Sequence, residues 1–559
     1  MRSRWSLSLQ PISTGRLHFL WLVLFVALLV LLWRLVELNI IDKNFLLKES
    51  EARILRTIEI PAYRGMIRDC HGIPLAISTP VDSVWINPAF FSATDRQIQS
   101  LSHILNLTER FIKHQARKLV DRQFVYLKRG NPPFITQQIK ALKIPGVCFQ
   151  REYRRYYPEG EVFTPILGWT NVDDHGQEGL ELSFDQWLNG FPGKKQVLKD
   201  RLGHIVENVA LLKRPKQGNN LTLSIDSRIQ YLAYRALKAA VLKYRAEDGS
   251  VVVLNTNTGE ILAMANQPSY NPNNRPSNHD NGRFRNRAVT DTFEPGSVMK
   301  PFVIVLALQS GHYTPDTQIN TNPGWMKVDG YRIRDDVNSG IVTLTQLLQK
   351  SSNIAAAKIL FSLQPQCYWG ILHDLGFGER TNIGFPGEVG GTLLFRTIWT
   401  PSVVATLAYG YGIAVTALEL AHAYATLANY GIKLPVTVLK IKKPPKGKRI
   451  FPATISKKII KMLETVVQQG GTGTRARLTG YQVAGKTGTA YIAGPNGGYN
   501  RHEYTASFVG IAPSNNPRLV VAVIIRKPHG RHLGGLIAAP VFAKVMKGSL
   551  RLLGVVPHL

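Results

Sequence analysis

Ser297-Val298-Met299-Lys300 places a serine three residues ahead of a lysine, between a Pro295-Gly296 break and the apolar run Phe302–Leu308. A helix beginning near Ser297 puts positions i and i+3 on one face, so the hydroxyl and the amine can touch. Pro301 falls in the first turn, where its missing N–H costs nothing. A helix start also aims backbone N–H groups and a positive dipole end at the serine. Alone, the pattern is weak evidence and reads more readily as a capping serine ahead of an exposed lysine. Two later stretches argue against that reading: Ser351-Ser352-Asn353, an S-x-N, and Lys486-Thr487-Gly488-Thr489, a K-T-G-T. If the three act together, the chain must fold them into one cleft, with the K-T-G segment lining it.

The chain has 559 residues, room for two or three domains, and its 44% hydrophobic content is that of a globular protein. With 68 Lys+Arg against 37 Asp+Glu the net charge is +31, which raises a nucleic-acid reading. The basic residues are scattered, however, and the densest run, Lys442–Arg449, reads as one solvated loop. An anionic membrane surface or an acidic polymer suits such charge as well. Cys70, Cys148 and Cys367 are far apart, odd in number and without metal-ligand spacing, so three unpaired thiols are expected.

Near the N-terminus, Arg2, Arg4 and Arg16 precede an unbroken apolar stretch from Phe19 to Trp33. That stretch makes about 22 Å of helix at 1.5 Å per residue. Leu17-His18 and Arg34–Leu38 can lengthen it, with Arg34 reaching the headgroups. No small-x-small cleavage site follows Trp33, so an uncleaved signal anchor is expected rather than a cleaved signal peptide or a core helix. The basic tail then stays in the cytoplasm and the remainder is exported.

A helical stalk is expected over 39–56. Arg64–Ala76 reads as strand, turn at His71-Gly72, and strand. The clusters Arg154–Gly160, Leu167–Asp173 and Gln177–Glu181 are glycine-rich and hold no nucleophile–base pair, which suits a structural and interaction module. A boundary falls near Arg214–Asn219. Beyond it a helix is expected over Ser227–Tyr244, and a hairpin around Asn257-Thr258-Gly259. Buried strands at Ala506–Ile511 and Leu519–Ile525 and a last helix over about Val541–Leu553 complete an α+β pattern, an antiparallel sheet flanked by helices.

The ordered set S-x-x-K, S-x-N and K-T-G resembles that of the penicillin-binding proteins and serine β-lactamases. Arg64–Ala76 and Arg155–Gly160 resemble the pedestal motifs of class B penicillin-binding proteins. Asn266–Asn273, Tyr409-Gly410-Tyr411-Gly412, Gly470-Gly471-Thr472-Gly473 and Ala538–Phe542 resemble the division-specific, FtsI-type peptidoglycan D,D-transpeptidases of Gram-negative bacteria. Cys70 departs from a usual arginine and Ala417 from a common proline.

The resemblance implies a cytoplasmic tail at 1–16, a transmembrane anchor at 17–38 and the stalk at 39–56. An elongated pedestal of the dimerisation type at 57–217 and a transpeptidase domain at 218–559 follow. It implies an inner-membrane, single-pass protein with its catalytic domain in the periplasm. Such a protein cross-links stem peptides through a serine acyl-enzyme during septal cell-wall synthesis and is inhibited covalently by β-lactams. Ser297 would attack the D-Ala-D-Ala carbonyl. A free lysine is protonated at neutral pH, and burial and a neighbouring cation, Lys486, would lower Lys300 into the range of a base. Ser351 would pass the proton to the departing D-Ala, and Asn353 would hold Lys300 and a substrate amide. Lys486, Thr487 and Thr489 would bind the terminal carboxylate, with Gly488 between them. The N–H groups of Ser297 and Thr489 would form the oxyanion hole. No metal or organic cofactor is implied. The implied partners are a donor and an acceptor stem peptide, β-lactams, the membrane, a septal glycosyltransferase and other division proteins, and not nucleic acid.

An elongation-type transpeptidase is the nearest alternative. A D,D-carboxypeptidase or β-lactamase is another, but the E-x-x-L-N loop of class A β-lactamases is missing between Asn353 and Lys486. A non-catalytic division scaffold is the third, and the intact motifs argue against it.

Overall fold

The computed structural model describes residues 14–46, 55–118, 122–199, 205–275, 282–494 and 498–557. The first thirteen residues of the expected tail and residues 47–54 of the expected stalk lie outside them. Helix α1, Thr14–Val36, covers most of the expected anchor and continues as a wider turn over Glu37–Ile41. None of its side chains is buried by protein, and the 28 residues Thr14–Ile41 are long and apolar enough to cross a membrane.

The chain forms two compact units. The smaller comprises Met1–Ala62, Asp82–Arg151 and Phe191–Lys216. Strands Leu55–Ile60, Gly193–Lys199 and Ile205–Lys213 pair there as an antiparallel sheet. Leu55 and Arg56, expected in the helical stalk, are therefore strand residues. The alternation Leu-Arg-Thr-Ile-Glu-Ile suits a pleat and not a helix. Elsewhere in this unit Asp82–Ile86 pairs with strand Val125–Asn131. Val84, Ile86, Leu101, Leu105, Ile112 and Leu127 form its core with helices Asp95–Leu105, Glu109–Lys118 and Pro133–Ala141 nearby in sequence.

The larger unit comprises Tyr63–Val81, Glu152–Gly190 and Gln217–Leu559. The glycine-rich clusters of the sequence converge here on a buried ion network. Arg64 Nε donates to Glu181 at 2.6 Å, Arg155 Nε to the other Glu181 oxygen at 2.7 Å, and Arg64 NH1 to Asp185 at 2.7 Å. Two guanidinium groups on one fully buried carboxylate satisfy a charge that burial alone would make untenable. Gly168 is needed close by: a Cβ there would lie 1.9 Å from the Glu178 carbonyl oxygen.

Helix α2, Ser227–Lys243, precedes the central sheet, whose strands are β1 Asp248–Asn255, β2 Ile261–Gln267, β3 Ala484–Ala493, β4 Tyr499–Ala512 and β5 Leu519–Arg526. The order is β2-β1-β5-β4-β3, antiparallel throughout. Val251–Leu254 and Leu519–Ile525 are wholly buried, so these strands are continuously apolar instead of alternating. Strand β3, which carries K-T-G, is an edge of the sheet, paired on one side only.

Helix α3, Lys300–Gln309, is buried from Lys300 to Ala307, and Phe302 meets Phe377 and Tyr424 edge-on. The last helix, α4, spans Gly534–Leu552 and starts seven residues before the expected Val541, with Pro540 inside it. Pro540 has no N–H for the Leu536 carbonyl, and the Tyr244 hydroxyl reaches that oxygen at 3.5 Å. A partner from outside the helix thus lets it run through a residue that would otherwise interrupt it.

Candidate active site

Ser297 lies in a 3-10 turn, Gly296–Met299, that feeds α3; the expected helix start is tighter than an α-turn. In 3-10 geometry residues i and i+3 nearly eclipse, which serves the serine–lysine contact well. The turn is held from several sides. Gly296 has φ +63°, and its N–H donates to the Gly410 carbonyl at 3.0 Å. A Cβ on Gly410 would lie 2.1 Å from the Gly296 oxygen, so the Tyr409–Gly412 loop needs glycine there. The buried Tyr424 hydroxyl donates to the Val298 carbonyl at 2.7 Å.

Three segments meet at Lys300. Its Nζ is 2.9 Å from Ser297 Oγ, 3.2 Å from Ser351 Oγ, 2.5 Å from the Ser351 carbonyl oxygen and 2.7 Å from Asn353 Oδ1. The Asn353 amide orientation is fixed, because its Nδ2 donates to the Arg334 carbonyl at 3.0 Å. Two of the four partners, the Ser351 carbonyl and Asn353 Oδ1, can only accept. A neutral amine has two hydrogens and one lone pair. If those two oxygens take the hydrogens, the lone pair is left for a hydroxyl, either Ser297 or Ser351. That arrangement can remove a proton from the serine.

Lys486, from β3, donates to Ser351 Oγ at 2.9 Å and to the Thr487 carbonyl at 3.2 Å. Ser351 Oγ therefore bridges the two amines. Ser351 occupies the left-handed region, φ +65°, between helices Leu344–Lys350 and Asn353–Phe361, and this conformation turns its hydroxyl toward both lysines. Both lysines are fully buried. Burial pulls Lys300 down to about 7, against the carboxylates of Asp335 and Asp336. Lys486 is also pulled well down, by burial first and by Lys300 second. Burial, rather than the Lys486 charge, is thus the main cause of the Lys300 shift.

Thr487 Oγ1 lies 2.7 Å from Thr472 Oγ1, and Thr489 Oγ1 accepts from the Gly534 N–H at 3.1 Å. A Cβ on Gly488 would lie 2.2 Å from Ser507 Oγ, 2.9 Å from the Pro295 oxygen and 3.0 Å from Val298 Cγ1. Glycine is what lets β3 close on the serine turn. All eight sequence-derived residues are thus on the three segments that meet here. Two others were missed. Asp335 accepts from the Asn353 N–H at 2.6 Å, and Thr472 pairs with Thr487. Thr472 sits in a glycine-rich stretch whose side-chain contact has no local sequence signal, and Asp335 precedes S-x-N by sixteen residues.

Outside this cluster, Cys70, His71 and Asp226 bring a thiol, an imidazole and a carboxylate within 4.8 Å of one another. Arg228 already occupies both oxygens of Asp226 and His71 Nε2. Cys70 and Cys367 are free thiols.

Residues 249–547 match the penicillin-binding protein transpeptidase domain, and residues 59–223 match the penicillin-binding protein dimerisation domain. The chain belongs to the class B penicillin-binding proteins. It is 41% identical over 538 residues to the peptidoglycan D,D-transpeptidase FtsI of Escherichia coli K12, covering 95% of this chain and 90% of that protein. Among solved structures it resembles the apo transpeptidase domain of Burkholderia pseudomallei penicillin-binding protein 3. That match has a TM-score of 0.56 and 42% identity, over 60% of this chain and 98% of that one. It also resembles Mycobacterium tuberculosis penicillin-binding protein 3 complexed with aztreonam, with a TM-score of 0.70 and 26% identity. This second match covers 90% of this chain and 98% of that one.

Proposed function

We propose that this protein is a peptidoglycan D,D-transpeptidase that works through a serine acyl-enzyme in septal wall synthesis. The observation that carries this reading is the environment of Lys300: buried, held by two acceptor-only oxygens, and 2.9 Å from Ser297 Oγ. Ser297 Oγ attacks the carbonyl of the penultimate D-Ala while its proton passes to Lys300 Nζ. The oxyanion is held by the N–H groups of Ser297 and Thr489, a type of donor worth about 2.7–4 kcal/mol. As the C–N bond breaks, Ser351 gives its proton to the departing D-Ala nitrogen and is resupplied from the lysines. An acceptor amine then attacks the ester, its proton returns through Lys300, and Ser297 leaves as the hydroxyl. Lys486, Thr487 and Thr489 bind the donor's terminal carboxylate, and Asn353 orients Lys300 and a substrate amide. A bound carboxylate would also oppose the effect of burial on the Lys486 amine.

The names of the relatives support the reaction and the division role. The arrangement of α1 and Arg16 supports an inner-membrane anchor with the catalytic domain in the periplasm, and the family matches at 59–223 and 249–547 support a pedestal at 57–217 and a transpeptidase domain at 218–559. A septal glycosyltransferase and other division proteins are the partners this role requires. β-Lactams acylate the same serine, and stem peptides are the natural donor and acceptor.

The test is labelling of membranes with a fluorescent penicillin, wild type against Ser297→Ala, with peptide mapping of the adduct. Label on the peptide that carries Ser297, and its loss in the variant, is expected. An adduct on Ser351 or Ser352 would overturn the assignment. Protease added to spheroplasts tests topology: it should digest the C-terminal domain, and resistance in the absence of detergent would place that domain in the cytoplasm.

A further inference from the structure

The strand Tyr331–Arg334 ends at Asp335, a half-buried residue whose carboxylate faces the start of helix Asn353–Phe361. Asp335 Oδ1 accepts from the N–H of Asn353 at 2.6 Å and from that of Ile354 at 3.1 Å. Oδ2 accepts from Ser352 Oγ at 2.5 Å, and Ser352 Oγ in turn accepts from the Ala355 N–H at 3.0 Å. The first N–H groups of a helix have no partner within it, and a carboxylate there also meets the positive end of the dipole. On the far side, the Arg334 carbonyl holds Asn353 Nδ2 at 3.0 Å, which turns Oδ1 toward Lys300. Arg334 and Asp335 together thus grip Asn353 by its backbone and its side chain.

We infer that Asp335 is a positioning residue for the acylation step: it fixes the Ser351–Asn353 turn so that Ser351 Oγ, the Ser351 carbonyl and Asn353 Oδ1 converge on Lys300. This rests on the reading of Lys300 as the base. Ser352, the middle residue of S-x-N, acquires a purpose: it carries the grip of Asp335 into the helix. The charged groups acting on Lys300 are Asp335 and Asp336, while Lys486 of β3 faces it across Ser351 Oγ. The two carboxylates oppose the effect of burial, so removing one lets the Lys300 amine lose its proton at lower pH.

The test uses the full chain in detergent and a fluorescent penicillin, with the acylation rate constant and the prior binding constant measured separately across pH. Asp335→Ala removes both grip and charge. It should lower the acylation rate constant, by up to about 10²-fold for a misplacement of this kind, and leave the prior binding constant nearly unchanged. Asp335→Asn keeps the acceptor oxygen and the shape but loses the charge. It should retain more activity than alanine and move the acidic limb of the rate profile to lower pH. Asp336→Asn, an exposed carboxylate acting through space, should move the limb in the same direction while keeping the plateau rate. A wild-type plateau and an unmoved limb in both Asp335 variants would overturn the inference, as would a lowered Tm as their only effect. If the alanine variant does not fold, the asparagine variant decides. Lys300→Arg, measured alongside, separates the two ideas. Loss of activity there with normal Asp335 variants sinks only the positioning role, whereas retained activity there sinks the base.

Discussion

A neutral lysine whose two hydrogens go to carbonyl oxygens has only its lone pair left for a neighbouring hydroxyl, and the Ser351 carbonyl and Asn353 Oδ1 are placed to take both hydrogens of Lys300. Arginine keeps the charge and can hydrogen-bond Ser297, but it cannot act as a base because its pKa exceeds about 12. Lys300→Arg should therefore lower penicillin acylation by at least about 10²-fold, the low end for general base catalysis. Lys486→Arg should lose less, since the proposed role of Lys486 is carboxylate binding; equal, mild losses in both would remove Lys300 as the base. The pH dependence follows from the same amine. Burial lowers Lys300 to about 7, and the base works only when deprotonated, so acylation should rise with pH through about 7 and fall away on the acid side. A flat rate across that window in stopped-flow acylation would count against it. The eight motif residues were legible because each chemical group lies within a few residues of another. Asp335 was not, because its connection to Asn353 runs through space and a backbone N–H.

At the scale of elements, close approach between β3 and the serine turn depends on Gly488. Gly488→Ala would press a methyl against Ser507 Oγ, which can rotate, and against the Pro295 carbonyl, which cannot. Overpacking of this kind costs about 1–3 kcal/mol, visible as a lower urea midpoint. Because the displaced atoms border Ser297, acylation should fall further than that stability loss alone explains. Strands were easier to foresee than helix starts. Continuous apolar runs such as Val251–Leu254 announce a buried strand, and Asn257-Thr258-Gly259 marks its hairpin. The early start of α4 was hidden by Pro540, which reads as a helix breaker until Tyr244, nearly three hundred residues away, is seen supplying the missing partner. Leu55–Ile60 was hidden for a different reason: its pairing partner, Gly193–Lys199, is more than a hundred residues further on.

At the scale of the whole molecule, Arg64, Arg155 and Glu181 tie Tyr63–Val81 to Glu152–Gly190 within the larger unit. Arg64→Ala leaves Glu181 buried with one guanidinium instead of two and takes the guanidinium from Asp185, which keeps the Gly176 N–H and Asn189. Breaking a buried pair by removing one member costs about 3–5 kcal/mol, so guanidinium-induced unfolding should show a loss of that order. A loss under about 1 kcal/mol, the range of a surface pair, would mean that water reaches the cluster. The sequence marked these residues as motifs but gave them no chemistry, since an ion network assembled from three separate segments leaves no periodic trace.

Helix α1 exposes every one of its side chains, and Thr14–Ile41 suits a lipid environment. A chain held this way searches a surface and not a volume. Its encounter rate with anything fixed near that surface then scales with molecules per unit area, so diluting a suspension of intact vesicles should leave turnover per vesicle unchanged. Releasing the chain from its lipid should make the same reaction depend on concentration in bulk.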